Sequence, residues 1–497
     1  MTALLRLVLV ILSLMAVFFV LAATPAGIAT TSDSAMYVSA ARSLSRGEGL
    51  LTCYGTPFVR FPPLYPLLLA IPIADPLTLA RWLNALTFGL IVFTSGELFF
   101  RSTRSALWTI LGAASVLSSW ALLISSIYLL TEPLFALLVV AAVLVLPTFL
   151  REKSPRSLLI LSALAALTPL QRYAGFSVIA AGGVAILLLM RATPLVRRLG
   201  YAITFGILSS IPLGLWLVRN LLVSGSVAGG RGEPRTDLSD FGNVVIKWFF
   251  PDSNAGILVI IGVLAITAII FAIILRRDGK ITLDALEKIV PLPSGIFLIV
   301  ITISLLISSQ IIYVTLDNRM FAPIFPLLMG VLMTLAANLG RWLDQKFQNR
   351  AGTWLIAGLV AAWLLIFPAQ KIAREIQLLS QSDAIGFTAA DLRESEQVKW
   401  LVANPTDEPI FSNWPFPICL NADQYAQLVP ATGQVERAIQ TLETANQSSL
   451  IFVAFETSDS RYAMTYNVEE LAAAFEIHPI LEAENGAIYR LTRRKNS

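Results

Sequence analysis

Residues 30–66 read TTSDSAMYVSAARSLSRGEGLLTCYGTPFVRFPPLYP, a polar stretch bearing glycine and proline in an otherwise oily chain. One isolated acid, Asp33, follows the first apolar run. Tyr37 comes four residues later, and an Arg-x-Pro-Pro-x-Tyr-Pro run extends from Arg60 to Pro66. What flanks the stretch decides the fold class. The 497 residues are 56% hydrophobic and 14% charged, with a mean hydropathy of +0.73. Soluble domains carry about 25% charged residues, so the chain reads as a polytopic α-helical membrane protein.

Apolar runs of about 20 residues suffice to cross a bilayer. They fall at roughly 7–24, 79–99, 105–124, 133–150, 157–170, 175–190, 200–222, 256–275, 293–313, 321–340 and 353–369, about eleven transmembrane helices. Basic clusters mark alternate loops: Arg101/Arg104, Arg151/Lys153/Arg156, Arg191/Arg197/Arg198, Arg276/Arg277/Lys280 and Arg341/Lys346/Arg350. The positive-inside rule makes these loops cytoplasmic. Arg6 agrees with them, so the N-terminus is expected inside and, after an odd number of spans, the C-terminus outside. A cleaved signal peptide ending near LAATPAG is the alternative for the first run.

Beyond residue 370 the composition turns acidic, with 10 Lys+Arg against 17 Asp+Glu. SLIFVAFE (449–456) and GAIYRLT (486–492) read as strands, and 389–404 and 468–476 as helices. The expectation is a transmembrane domain over 1–369, with a first extracytoplasmic loop at 25–78, and a small extracytoplasmic α/β domain over 370–497. The protein would be an integral, multi-pass protein of the plasma (inner) membrane. An acidic tail does not suit nucleic acid. The two cysteines, Cys53 and Cys419, exclude a disulfide framework but not a single bridge. The only histidine, His478, reads as an ordinary surface residue, so chemistry must rest on carboxylates, arginines, tyrosines or a bound ion.

Charges at the ends of membrane helices are costly and need a local reason. On the expected outer side gather Asp33, Arg42, Arg46, Glu48 and Arg60, then Glu132 in YLLTEPLF and Arg172 in TPLQRYAG. Arg219 and Asn220 in WLVRN, Arg231, Glu233 and Arg235 in GGRGEPR, and Asp317 and Arg319 in LDNRMFAP complete the set. Arginines that defy the positive-inside rule suggest an anion site, since the guanidinium fork matches phosphate oxygens. Each residue also has a plainer reading. Asp33 is suited to capping a helix over Ser34–Arg46, and Glu132 ahead of Pro133 favours a helix dipole. Arg172, Arg219 and Arg319 would serve as interfacial anchors, and Tyr37, Tyr65 and Trp216 as an aromatic belt.

The Asp33-x-x-x-Tyr37 pattern, the Arg46-Gly47-x-Gly49 helix end and the run from Arg60 to Pro66 together resemble the first loop of the GT-C superfamily of membrane glycosyltransferases. This group includes the protein O-mannosyltransferases and the aminoarabinose transferases. TEPLF (131–135), LQRYAG, WLVRN, DNRMFAP (317–323) and the tail run 409–430 are similar as well. The resemblance implies inverting transfer of a sugar from a polyprenyl-phosphate-linked donor to a lipid, glycan or protein hydroxyl on the outer face. Asp33 matches the family's catalytic base. Tyr37, Arg60, Tyr65, Glu132, Arg172, Arg219, Asn220, Arg231, Asp317 and Arg319 would bind the donor phosphate or substrate. Ser34 stands where the protein O-mannosyltransferases carry a second acid, which weakens that particular specificity. No cofactor is implied beyond a divalent metal that Asp33 and Glu132 would share; membrane lipids are expected partners and nucleic acid is not. The rival readings are a transporter or flippase for a lipid-linked anionic glycan, and a non-catalytic scaffold. A transporter should show broken helices in two repeated halves, and the sequence has no such repeat.

Overall fold

The computed structural model describes residues 1–230, 239–250, 290–311, 316–429, 433–456 and 468–494. The chain divides into two compact units: Met1–Pro25, Val59–Leu64 and Arg81–Gln381 in the first, Ala26–Phe58, Tyr65–Ala80 and Ser382–Ser497 in the second.

Apolar helices make up the first unit. Seven helices among the described residues are long and apolar enough to cross a membrane: Ala3–Ala23, Pro76–Thr103, Glu132–Glu152, Leu195–Ser224, Leu292–Ile311, Asn318–Phe347 and Ala351–Ser380. The pair Ala106–Leu117 and Trp120–Ile127, bent by 45°, makes an eighth if it is one span. The expected fifth and sixth runs also form helices, Pro155–Gln171 and Phe176–Leu189, but each is short for a full crossing. The run at 256–275 lies outside the described residues. The chain is thus a polytopic α-helical membrane protein.

Local sequence sets the helix ends that matter for the site. Ser154 caps Pro155–Gln171 by accepting from the Ser157 amide, and the helix stops where Arg172 turns extended. Glu132–Glu152 starts with an acid and Pro133 in its first turn, where neither a negative charge nor a missing N–H is costly.

In the second unit a five-stranded sheet has the order β2-β1-β3-β5-β4, with β1 Ile410–Ser412, β2 Gln427–Leu428, β3 Ser449–Phe455, β4 Phe475–Ala483 and β5 Gly486–Arg493. β2, β1 and β3 run parallel, whereas β5 is antiparallel to both β3 and β4. Leu450, Phe452 and Ala454 pack in one apolar cluster and Ile451, Val453 and Phe455 in another. Successive strand residues face opposite sides, so β3 is buried on both. This explains why it reads as an unbroken apolar run. β4 carries Pro479 at a register shift and lies on the edge, the place a sheet tolerates proline.

Two helix expectations change here. Residues 389–404 form two helices, Ala390–Arg393 and Glu396–Ala403, because Ser395 caps the second. The helix expected over 468–476 ends at Ala474, and Phe475 and Glu476 begin β4. The first-loop helix runs Ser32–Ser45 and is buried continuously from Ser34 to Ala41, so no single stripe is apolar. Its small residues suit it to close packing, and it lies against the helix Pro415–Asn421. The Cys53–Cys419 disulfide ties the stretch that follows the first-loop helix to Pro415–Asn421. Arg42 donates to the carbonyls of Cys419 and Leu420, and the Thr30 amide donates to Ile385.

Candidate functional site

In the first unit Glu132, Arg172 and Arg319 meet, drawn from three separate stretches of sequence. Glu132 is 1% exposed, and its Oε1 lies 2.7 Å from Arg172 Nη1 and 3.2 Å from Arg319 Nη2. Arg319 Nε donates to the same oxygen at 3.2 Å. The two arginine side chains are 17% and 34% exposed. One buried carboxylate therefore orients two partly open guanidinium groups.

Neighbouring polar atoms stiffen it. Arg172 Nη1 also donates to Thr131 Oγ1 at 2.9 Å, and Nη2 lies 3.1 Å from Met320 Sδ. Buried Gln171 donates its amide to the Thr131 carbonyl at 3.0 Å. Asp317 caps the short helix Asn318–Phe321 by accepting from the Met320 amide, which fixes the turn bearing Arg319. Arg172 leads into a tight 3-10 turn, Tyr173–Gly175, folded back on the preceding helix. A Cβ at Gly175 would lie 2.2 Å from the Thr168 carbonyl carbon, so only glycine fits.

A second polar group in this unit centres on the Val59 carbonyl. Tyr173 donates to it at 3.1 Å and Asn220 at 3.4 Å. Asn220, wholly buried, also donates to Val227, while Trp216 Nε1 donates to the Tyr173 hydroxyl. These bonds hold the backbone just ahead of Arg60, an exposed residue whose guanidinium lies over Phe61. Arg219 stacks on Trp216 with 4.9 Å to the ring centroid and donates to Asn220.

Asp33, in the second unit, is half-buried in the first turn of Ser32–Ser45. It is not the cap. Thr31 accepts from the Ser34 amide and Ser34 Oγ accepts from the Thr31 amide, a reciprocal capping box. This removes the plainer reading of the acid and leaves its charge to favour the helix dipole.

Several expected ligand-binding residues also have contacts within the protein. Tyr37 and Tyr65, 4% and 0% exposed, pack edge-on at 5.6 Å inside the second unit. Asn220 positions backbone, and Asp317 caps a helix. Arg231 lies outside the described residues. Glu132 is engaged by two guanidinium groups, a poor setting for a cation, and no group of three His, Cys, Asp or Glu among the described residues could hold a metal. The residues missed from the sequence are Thr131, Gln171 and Tyr173. Their signal was present as polar side chains directly beside Glu132 and Arg172.

No family model matches the chain, and neither does any curated protein. Solved structures do. ArnT from Cupriavidus metallidurans in the apo state is 12% identical with a TM-score of 0.61, covering 97% of each chain. The same protein bound to undecaprenyl phosphate gives 11% and 0.58, again over 97% of each chain. The archaeal oligosaccharyltransferase AglB from Archaeoglobus fulgidus, in complex with an inhibitory peptide and a dolichol-phosphate, gives 12% and 0.56 over 100% of this chain and 75% of that one. With its apolar helices and its small C-terminal sheet, the chain shares the fold of these solved structures.

Proposed function

We propose that the protein is an inverting glycosyltransferase that moves a sugar from a polyprenyl-phosphate-linked donor to a hydroxyl acceptor on the outer face of the membrane. The observation that carries this reading is the Glu132–Arg172–Arg319 cluster. It holds two guanidinium groups in fixed directions against one buried carboxylate, and their donor forks suit a phosphate monoester or diester. The likeness to structures holding undecaprenyl phosphate and dolichol-phosphate supports the same donor class.

In this proposal the acceptor oxygen attacks the anomeric carbon and gives its proton to Asp33. The bond from that carbon to the lipid phosphate breaks, and Arg172 and Arg319 stabilise the negative charge on the departing phosphate. Glu132 is a positioning residue for both. Arg60 and Arg219 add positive charge on the donor side. The outer location draws support from the Cys53–Cys419 bond, since disulfides persist in oxidising compartments. The N-terminus is then cytoplasmic and the C-terminal domain extracytoplasmic.

The test is transfer from a labelled polyprenyl-phosphate sugar by purified protein. Asp33→Asn should abolish turnover with insertion and thermal midpoint unchanged. Retained turnover would overturn the assignment of the base. Arg172→Ala and Arg319→Ala should each raise the donor KM, and an unchanged KM in both would remove the phosphate role.

A further inference from the structure

Thr30 stands three residues ahead of Asp33 and is 2% exposed. A polar side chain sealed from solvent needs partners in the protein. Thr30 finds them on a short strap, residues 385–388, of the same compact unit. Its amide donates to the Ile385 carbonyl at 2.9 Å. The Thr388 amide donates to Thr30 Oγ1 at 3.3 Å, and the two threonine hydroxyls lie 3.4 Å apart. Gly386 passes between these contacts with φ +84°, and a Cβ there would meet the Thr30 carbonyl oxygen at 2.0 Å. The left-handed backbone and the close approach both require glycine.

The strap is itself fixed. The Ala389 amide donates to the Gly386 carbonyl at 3.1 Å and closes a turn. Asn421, at the end of Pro415–Asn421, donates to the Phe387 carbonyl at 2.8 Å. The Phe387 ring lies 5.1 Å from that of Phe416 and 5.5 Å from that of Trp414. None of these contacts is needed to start the helix Ser32–Ser45, because the reciprocal cap of Thr31 and Ser34 already serves its first turn. A helix with its own cap can form without a strap. What the strap adds is a fixed place for the residue just ahead of the cap, and so for the first turn that carries Asp33.

We propose that Thr30, held by Gly386 and Thr388, is a positioning residue for Asp33. The inference rests on the reading of Asp33 as the base. A general base must lie about 2.6–3.2 Å from the atom whose proton it takes. Only Thr31 and Ser32 separate Thr30 from Asp33, so a displacement at the strap passes to the carboxylate with little chain to absorb it. A shift of about 1 Å can cost about 100-fold in rate. The effect belongs to kcat, since the donor phosphate is read by arginines elsewhere.

Steady-state transfer from a labelled polyprenyl-phosphate sugar by the full chain tests this, with Asp33→Asn run in parallel. Thr30→Val keeps the shape and removes the hydroxyl; kcat should fall roughly 10–100-fold with the donor KM unchanged. Thr30→Ser keeps the hydroxyl and should retain kcat. Hydrogen exchange over residues 28–37, which needs no turnover, should quicken in Thr30→Val and not in Thr30→Ser. If Asp33→Asn retains turnover, the base is misassigned and the positioning role falls with it. If Asp33→Asn is inactive while Thr30→Val keeps its kcat, the base stands and the strap inference alone is overturned. A donor KM that rises with kcat unchanged, equal losses in Thr30→Val and Thr30→Ser, or unchanged exchange in Thr30→Val would each overturn it. So would a Thr30→Val protein that fails to fold, since the hydroxyl would then serve the fold.

Discussion

Replacing Glu132 with glutamine keeps the shape of the side chain and removes the charge that holds Arg172 and Arg319. At 2.7 and 3.2 Å, with an effective dielectric constant of about 20, the gross attractions are about 6 and 5 kcal/mol. The net loss must be smaller, because burying the carboxylate costs several kcal/mol and the arginines are 17% and 34% open to solvent. Breaking a buried pair from one side typically costs about 3–5 kcal/mol. Glutamine still accepts a hydrogen bond, so the expected destabilisation is at the low end, about 3 kcal/mol. Thermal unfolding of the purified variant reads it as a midpoint several degrees lower. The kinetic outcome separates two ideas about the arginines. The substitution removes one negative charge beside the two arginines, so if charge alone mattered, donor use would improve. If direction matters, kcat/KM for the donor falls roughly 10–100-fold, as misplacement of a positioning group commonly does. Adding Arg172→Gln should cost less than the sum of the single changes, because the partners are coupled. A variant with an unchanged midpoint and equal or better donor use would refute the positioning role.

Gly175→Ala should destabilise by at least about 1–3 kcal/mol, because the new Cβ meets backbone at Thr168 rather than a movable side chain; an unchanged midpoint would show that the turn relaxes freely. Native protein should present no reactive thiol until reduced, and Cys53→Ser with Cys419→Ser should lower the midpoint. The loop-entropy formula for a separation of 366 gives about 6 kcal/mol; helices inserted in a bilayer already restrict the intervening chain, so about 2–4 kcal/mol is expected. Arg46, and then Tyr425, hold the Glu48 carboxylate below its ordinary range. Its contribution is therefore fully present above the usual glutamate pKa of about 4.3 and is lost as pH falls through the lower folded value. Glu48→Gln should narrow the midpoint difference between pH 6 and pH 3, and an equal difference in both proteins would refute the coupling.

Long apolar runs made the helical class legible from sequence, because a bilayer-spanning helix needs length and composition and little else. β3 was legible for a related reason: burial on both faces leaves seven nearly unbroken apolar residues. β1 and β2 were not. With three and two residues they have no measurable period, and their pairing with β3 is long-range. β4 was hidden by a helix-like stretch, VEELAAAFE, whose last two residues the sheet recruits through pairing with β5. The acids and arginines of the candidate site were visible as charges out of place. Which of them meet was not, because Glu132 and Arg319 are 187 residues apart and only the helix packing brings them together.

The arginines that defy the positive-inside rule are not one group. Their partners divide them. Arg42 is bound by two carbonyls and paired with Asp75, and Arg46 by Glu48 and Asp423, so these two serve the second unit's own assembly. Arg219 has a cation–π partner in Trp216 and a hydrogen bond to Asn220, which spend part of its reach on its own helix. Arg172 and Arg319 differ in kind, because both answer to one buried acid. A single arginine would suffice to pair that carboxylate. Sharing it fixes the directions of two guanidinium groups at once, and a common direction, rather than the number of arginines, is what the proposed phosphate role requires.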